Sequence, residues 1–370
     1  MNDLKNIENL VRPNIRSLKP YSSARDEFKD DGRWTADRLT VARPPSTVNR
    51  LPYIFLDANE NSLGSPLDED FSRYPDPRQM DLKVRLAVRE QLSPEAIFLG
   101  NGSDEAIDLL LRAFCTPEKD NVIVLPPTYG MYAVMANIHG AEIRVAPLRP
   151  DFSPDAAAIR QATDKRSKLL FLCSPNNPTG NRLPEAFIVE MLETFPGVVV
   201  VDEAYNDFSG RPSLTNRLAG YPNLVVLKTF SKAWGLAGLR VGMAFADPYI
   251  ISILNNIKYP YNISASTINY VCNALENAGQ VERKILMILS ERRRLEAALL
   301  QLKCIEKVYP SDANFLLVKT TGANKIYTFL CHNNIIVRNR SSELHCENCL
   351  RITIGSPEEN EKLINALNRY

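Results

Sequence analysis

Five short apolar runs set the fold class of this chain: Val122–Leu125, Leu169–Cys173, Val198–Val201, Leu224–Leu227 and Val241–Ala246. They are rich in Val, Ile and Leu and lack the polar alternation of a strand with one wet face. Strands covered on both faces read this way. Helix-period segments lie between several of them. One is Asp104–Phe114, which puts Ile107, Leu110, Leu111 and Phe114 on a single stripe. The alternation predicts an α/β fold, a mostly parallel central sheet with helices on both sides.

The flanking regions read differently. Residues 1–60 are broken by Pro13, Pro20, Pro44, Pro45 and Pro52 and carry a polar stretch near residues 29–50, which predicts an N-terminal arm with one exposed, inert insertion. Beyond Asn262 the pattern predicts a long helix over Val281–Leu302 and strand pieces at Phe315–Val318, Ile335–Val337 and Leu350–Ile354. A last helix opens at Ser356-Pro357-Glu358-Glu359, a capping box with Pro at the first helical position. The expected division is an arm (1–60), a large domain (61–262) and a smaller α+β domain (263–370).

Charge and cysteines narrow the classes of function. Lys plus Arg number 44 against 43 for Asp plus Glu, so bulk charge offers no footprint for nucleic acid or a membrane surface. The run Glu291-Arg292-Arg293-Arg294 reads as a solvated helix face. The first residues lack the apolar core of a secretory signal, and no stretch approaches the roughly 20 apolar residues of a membrane span, so a cytoplasmic location is expected. The 7 cysteines, an odd number scattered through the chain, fit free thiols. Cys346-x-x-Cys349, near His345, Cys331 and His332, has zinc-like spacing but no second pair. It is read as a surface loop with ordinary thiols and no metal.

Four features fall at predicted strand ends or helix starts, where open α/β sheets bind ligands. Gly100–Glu105 opens a helix, with Ser103 as the expected N-cap; a capped turn and an anion site share this pattern. Ser174–Gly180, with two prolines and a glycine, suits any sharp turn and also presents Asn177 at a strand terminus. Asp202 ends an all-valine run, where a carboxylate is costly to ionise unless a cation faces it. Lys232, just after Ser231 and among small and apolar residues, is a desolvated amine poised as a nucleophile; Lys228 and Arg240 are the expected cations around it.

Taken in order, Asn177–Gly180 (Asn-Pro-Thr-Gly), Asp202–Tyr205 (Asp-x-Ala-Tyr), Ser231-Lys232 and Ala237–Arg240 (Ala-Gly-x-Arg) resemble the signature set of fold-type-I aminotransferases, which use pyridoxal 5'-phosphate (PLP). The likeness runs from about Leu10 to the C-terminus. Within that family, Asn14–Arg16 through Pro20-Tyr21, Ala58–Glu60, Arg73–Pro75, Pro126–Tyr132 and Leu350–Thr353 resemble the histidinol-phosphate branch.

The resemblance implies a role for each residue. Lys232 would hold the cofactor covalently and later shuttle the substrate proton. Asp202 would pair with the pyridine N–H and keep the ring an electron sink. Asn177 and Tyr205 would bond the phenolic oxygen, and Tyr129 would stack on the ring. The cofactor phosphate would rest on the N–H groups of Ser103 and Asp104, with charge-assisted bonds from Ser231 and Arg240. Tyr74 would reach that phosphate from the second subunit of a homodimer. Arg351 would anchor the substrate anion as a planar fork, with Tyr21, Asn59 and Arg338 around the substrate; an exposed strand end explains Arg338 equally well. The implied reaction takes L-histidinol phosphate and 2-oxoglutarate to imidazole-acetol phosphate and L-glutamate, ping-pong through pyridoxamine phosphate. Aromatic amino-acid transamination and decarboxylation of threonine phosphate share the core residues. A non-catalytic PLP sensor would need an added DNA-binding domain, for which the first residues are too few and too proline-broken.

Overall fold

The computed structural model describes residues 7–19 and 54–370; Tyr21 and the polar insertion at 29–50 lie outside the described residues. The larger sheet has seven strands, β1 (Ile97–Asn101), β2 (Asn121–Val124), β3 (Glu142–Val145), β4 (Ser167–Cys173), β5 (Val198–Asp202), β6 (Leu224–Thr229) and β7 (Val241–Ala246), in the order β1-β7-β6-β5-β4-β2-β3. Neighbours from β3 to β6 pair in parallel, and β7 runs antiparallel to both β6 and β1. All five apolar runs are strands. β1 and β3 escaped the pattern for different reasons. β1 ends in Gly100 and Asn101, which read as loop, and β3 is an edge strand with largely exposed side chains.

The two-residue repeat of a strand sorts the apolar side chains into two cores. Val199 and Val201 join Leu170, Leu172, Leu224 and Val226 on one face. Val198 and Val200 join Leu169, Phe171, Val225 and Leu227 on the other. All of these are at most 1% exposed. Each such burial stabilises by about 1.5–3 kcal/mol, so polar chemistry is excluded from the strand bodies and displaced to their ends.

Helix Ser103–Phe114 lies on this sheet and starts one residue earlier than its apolar stripe predicts. Its N-cap is Gly102 (φ 79°), and Ser103, expected as the cap, is the first helical residue. The helix start sits directly on β7: a Cβ on Gly242 would lie 2.1 Å from the Ser103 nitrogen and 2.3 Å from the Gly102 carbonyl carbon. Only glycine allows that approach.

The smaller sheet is antiparallel: β8 (Ile305–Val308), β9 (Phe315–Thr320), β10 (Arg338–Asn339) and β11 (Cys349–Thr353), in the order β10-β11-β9-β8. Helices Ala278–Leu299, Ala323–His332 and Pro357–Asn368 supply Leu295, Leu299, Ile326, Leu330, Leu363 and Leu367 to a core with Leu316, Val318, Leu350 and Ile352. Leu317 and Cys349, on alternate positions, join the core of the larger sheet. The capping box forms as expected: Ser356 Oγ accepts from the Glu359 N–H (3.2 Å) and the Glu359 carboxylate accepts from the Ser356 N–H (2.8 Å).

Three expectations need correction. Ile335–Val337 is not a strand: Ile335 and Val337 pack on the smaller core from irregular backbone, and the ladder starts at Arg338. Cys346 and Cys349 are fully buried rather than in a surface loop, because Cys349 opens β11 and both thiols pack into the larger core. Arg292 is not on a solvated face, since its Nη1 donates to the Ala313 carbonyl at 2.6 Å. Among the described residues no helix is long and apolar enough to cross a membrane.

Gly242→Ala is expected to cost at least about 3 kcal/mol, because a β-carbon there meets backbone that cannot swing away. Urea unfolding of the variant beside wild type checks it, and a loss below about 1 kcal/mol would show that the helix start moves freely.

Candidate active site

β1, β2, β4, β5 and β6 all end at one edge of the larger sheet, and antiparallel β7 begins there. The residues just past those ends are therefore gathered without being neighbours in sequence. Ser103 and Asp104 follow β1, Tyr129 follows β2 and Asn177 follows β4. Asp202 ends β5, with Tyr205 three residues on. Ser231 and Lys232 follow β6, and Arg240 immediately precedes β7. This edge is where open α/β sheets place ligands.

Lys232 points its Nζ 5.5 Å from the centre of the Tyr205 ring. Its ammonium is held below the usual lysine range, first by burial and then by Arg351 and Arg240, with Asp202 and Asp104 opposing. Lys228, expected among these cations, is not one of them: its Nζ pairs with the Glu90 carboxylate at 2.8 and 3.0 Å. Arg351, from the smaller sheet, takes its place.

Asp202 is 4% exposed. One carboxylate oxygen accepts from the Tyr132 hydroxyl (2.7 Å) and the other from the Ala204 N–H (3.0 Å). Burial outweighs these two donors and pushes its carboxyl above the usual range. Tyr132 itself is completely buried and stacked on Phe171 (4.8 Å, 8°). Sequence reasoning treated Tyr132 only as part of a motif. On a helix with other apolar residues it carries no mark that separates it from a core aromatic.

The remaining residues line the same edge. Tyr129 donates to Asp104 Oδ1 at 3.1 Å and meets Tyr132 edge-on at 5.5 Å. Burial, then Asp104, pushes its hydroxyl above the ordinary phenol range. Arg240 adopts φ 54°, and its Nη2 lies 2.9 Å from where a Cβ on Gly102 would sit, against the start of helix Ser103–Phe114. The Ser231 N–H donates to Thr229 Oγ1 at 3.1 Å. Asn176 secures the turn after β4 through the Pro127 carbonyl (2.8 Å) and the Thr128 and Thr179 hydroxyls (2.9 and 2.7 Å). That leaves the neighbouring Asn177 facing the small sheet, where its Oδ1 accepts from Arg351 Nη1 at 2.5 Å.

Arg351 lies over Phe315 at 5.3 Å, and its buried Nε has no hydrogen-bond partner. It stands directly opposite Arg338 in the β10–β11 register, and the Arg340 N–H donates to the Cys349 carbonyl at 2.9 Å. Alternation then places Arg338, Arg340 and Arg351 on one face. Arg340 also has a buried, unpartnered Nε, while its Nη1 pairs with Glu343 at 3.0 Å. Arg351 is held below the usual arginine range by burial and then by Arg340. Sequence reasoning missed Arg340, because a charged residue in the polar run after Arg338 looks solvated.

Tyr74 is half-exposed and stacks on Tyr261 (4.4 Å, 13°). It lines a cavity of about 470 Å³ together with Asn59, Arg73 and Ser264. Asn262, which follows Tyr261, donates to the Leu99 carbonyl (3.0 Å) and to the Glu105 carboxylate (3.1 Å), which ties this group to the first turn of helix Ser103–Phe114.

A lysine, a buried carboxylate and a helix start without a side-chain cap on the edge of this sheet are the parts of a class I and II aminotransferase. The chain belongs to that family, whose model matches residues 55–367. Relatives named histidinol-phosphate aminotransferase are 48% identical in Parabacteroides distasonis over 364 residues (98% of this chain, 99% of that one) and 49% identical in Bacteroides thetaiotaomicron over 367 residues (99% of each). Within the class, the chain groups with these histidinol-phosphate aminotransferases. The fold is also that of the Sinorhizobium meliloti histidinol-phosphate aminotransferase solved in complex with pyridoxal-5'-phosphate, with TM-score 0.74, 24% identity, and coverage of 84% of this chain and 89% of that one.

Beside Asp202, Glu203 turns into the protein, where Leu214 N–H (2.9 Å) and Ser213 Oγ (2.5 Å) donate to it. Burial raises its carboxyl from 4.5 to about 7. A raised folded value means that the stabilising contribution is complete below 4.5 and is lost as pH rises through about 7. Glu203→Gln is therefore expected to flatten the fall in stability across that window. Unfolding free energies measured along a pH series check this, and an unchanged slope would sink the assignment.

Proposed function

We propose that this chain is a PLP-dependent transaminase that takes L-histidinol phosphate and 2-oxoglutarate to imidazole-acetol phosphate and L-glutamate. The observation that carries the substrate reading is the set Arg338, Arg340 and Arg351 on one face of β10–β11, with Arg351 reaching Asn177. Three guanidinium groups against the one carboxylate of Glu343 suit a phosphate dianion or a carboxylate, and exceed what an uncharged aromatic side chain requires. The shared name of relatives that match along nearly the whole chain supports the same reading.

The residues fit the cofactor. Asp202 is a buried carboxyl whose close partners are neutral donors, which suits a ring nitrogen that brings a proton. The N–H groups of Ser103 and Asp104 open a helix beside the Arg240 guanidinium, which suits a phosphate. Ser231, Asn177, Tyr205 and Tyr129 complete the binding set, and Tyr74 of the partner subunit joins it in a homodimer. When bound, PLP supplies an electron sink for the carbon that loses its proton.

The chain's own groups do the rest. Burial and two guanidiniums favour the neutral amine of Lys232, which can take a proton at Nζ and return it. Tyr132 holds the Asp202 carboxylate in place from behind. Arg351 offers its fork to a carboxylate in one half-reaction and, with Arg338, to a phosphate in the other. Asn59 and Tyr21 stand on the substrate side in this reading. It includes a cytoplasmic location and a division into an arm (1–60), a large domain (61–262) and a small domain (263–370).

Stopped-flow absorbance of cofactor-loaded protein with L-histidinol phosphate, beside L-phenylalanine and threonine phosphate, tests the reading. The expected result is a bound-cofactor band that changes fastest with histidinol phosphate and not at all in Lys232→Ala. Arg338→Met is expected to raise KM for histidinol phosphate about 10–100-fold while leaving the glutamate half-reaction within about threefold. Phenylalanine reacting as fast as histidinol phosphate would assign a broader aromatic transaminase instead.

A further inference from the structure

Among the described residues, six buried side-chain nitrogen or oxygen atoms have no hydrogen-bond partner, and three of them belong to Arg340, Ser341 and Arg351. A buried donor left without an acceptor is unfavourable. Their concentration on β11 and the turn after β10 therefore marks a place where a ligand completes the bonding. Two of the three are the Nε atoms of neighbouring arginines, so the missing partner is an acceptor with negative charge.

A run of turns fixes Arg340 beside Arg351. The Glu343 N–H donates to the Arg340 carbonyl (2.9 Å), the Cys346 N–H to the Glu343 carbonyl (3.0 Å) and the Cys349 N–H to the Cys346 carbonyl (2.9 Å). The Arg340 N–H closes the loop on the Cys349 carbonyl at 2.9 Å, and the buried Cys346 and Cys349 side chains root it in the larger core. Arg340 is thereby close enough to Tyr205 and Arg351 for its charge to act on both. The charged side chains that act on Arg351 are Arg340 and Arg338 as cations and Glu343 as the one carboxylate. Part of each inner guanidinium is already engaged: Arg340 Nη1 by Glu343 (3.0 Å), and Arg351 Nη1 by Asn177 Oδ1 (2.5 Å). What stays open on both is the Nε side. Arg338 is exposed at the outer end of this row.

We propose that Arg340 determines specificity for a phosphorylated substrate, its Nε side accepting a phosphate oxygen next to the anion site of Arg351. The inference rests on the transaminase reading above and deepens it. The two substrates of that reading carry their anions at different distances from the reacting carbon. In glutamate the carboxylate is bonded to that carbon directly. In histidinol phosphate a methylene and an ester oxygen intervene before the phosphorus. The phosphate also carries about −1.5 to −2 near neutral pH, against a single charge on a carboxylate. Arg351, fixed by Asn177, meets the shorter and less charged group alone. The longer and more charged group needs a second guanidinium beside it, and Arg340 is the neighbour with an unsatisfied buried donor. Glu343 holds Arg340 in place in both half-reactions and offsets one of the three positive charges. The remaining surplus matches a phosphate dianion and exceeds what a carboxylate neutralises.

The test uses cofactor-loaded protein and two readouts. Inorganic phosphate is the probe for the anion site, measured as a competitive inhibitor of the L-glutamate half-reaction at constant ionic strength. Arg340→Gln is expected to raise the Ki of phosphate about 10-fold or more. Arg340→Lys keeps the charge and loses the Nε donor, and is expected to raise it about threefold or more. The second readout is the ratio of kcat/KM for L-histidinol phosphate to that for L-glutamate, expected to fall about 10–100-fold in Arg340→Gln. A residue that only supports the fold would lower both substrates together and leave that ratio where it was. Wild type that phosphate does not inhibit, or a phosphate Ki that neither variant changes, would overturn the proposal. Arg340→Lys decides it even if Arg340→Gln does not fold. Wild type that takes L-histidinol as well as its phosphate ester would instead sink the substrate reading, and the phosphate Ki would still decide the role of Arg340.

Discussion

A carboxylate at the end of four buried valines is the constraint from which the active-site edge follows. The body of β5 is sealed on both faces, so Asp202 cannot be solvated from the sides. Its environment has to be built from the edge itself. Tyr132 supplies its hydroxyl and the Ala204 N–H comes from Asp202's own turn, while Lys232 arrives from the end of adjacent β6 and Asp104 from beyond β1. Two neutral donors do not offset the loss of water, which leaves the carboxyl with an affinity for a cation. Desolvation at the same edge, with Arg351 beside it, lowers Lys232, so the edge shifts an acid and an amine in opposite directions.

The second sheet supplies what the first cannot. Arg351 belongs to β11, over a hundred residues after Lys232, and still sets that lysine's electrostatics. The two sheets are joined at the turn after β4. The Asp312 N–H donates to the Gly180 carbonyl (2.8 Å), and the Arg182 N–H donates to Asp312 Oδ2 (3.1 Å). Gly180 adopts φ 84°, and a Cβ there would meet Ser311 Oγ at 2.6 Å, so the joint requires glycine. Asn177, three residues earlier, receives Arg351 across the same joint. Geometry at one turn therefore sets the distance between the amine and the arginine face.

Positive charge is distributed by what it is paired with. Lys228 is next to the catalytic stretch in sequence, but strand alternation commits it to Glu90. Arg340 lies in a polar run, but its backbone bond to β11 turns it toward Arg351. Lys83 sits on a helix whose pattern announces nothing unusual, yet packing leaves the residue 4% exposed and burial lowers its pKa. Sequence distance misleads in each case, because the energy of a charge depends on its partner and its access to water.

The sequence by itself determined the sheet strands that are sealed on both faces, the helix stripe over Ile107 and Leu110, the capping box at Ser356, and the order of Asn177, Asp202, Lys232 and Arg240. These are local: a strand's burial and a cap's chemistry are written in consecutive residues. Tertiary structure alone decided the edge strand β3, whose exposed face carries no apolar run, and β1, whose Gly100 and Asn101 resemble a loop until β7 pairs with them. It also decided that Gly102 rather than Ser103 caps the helix, since Gly242 lets the backbone settle on β7. Tyr132 and Arg340 became legible only once Asp202 and Arg351 stood beside them. Hydrophobic periodicity reports which face is dry, whereas a hydrogen bond or a charge pair between distant segments exists only after the chain has brought them together.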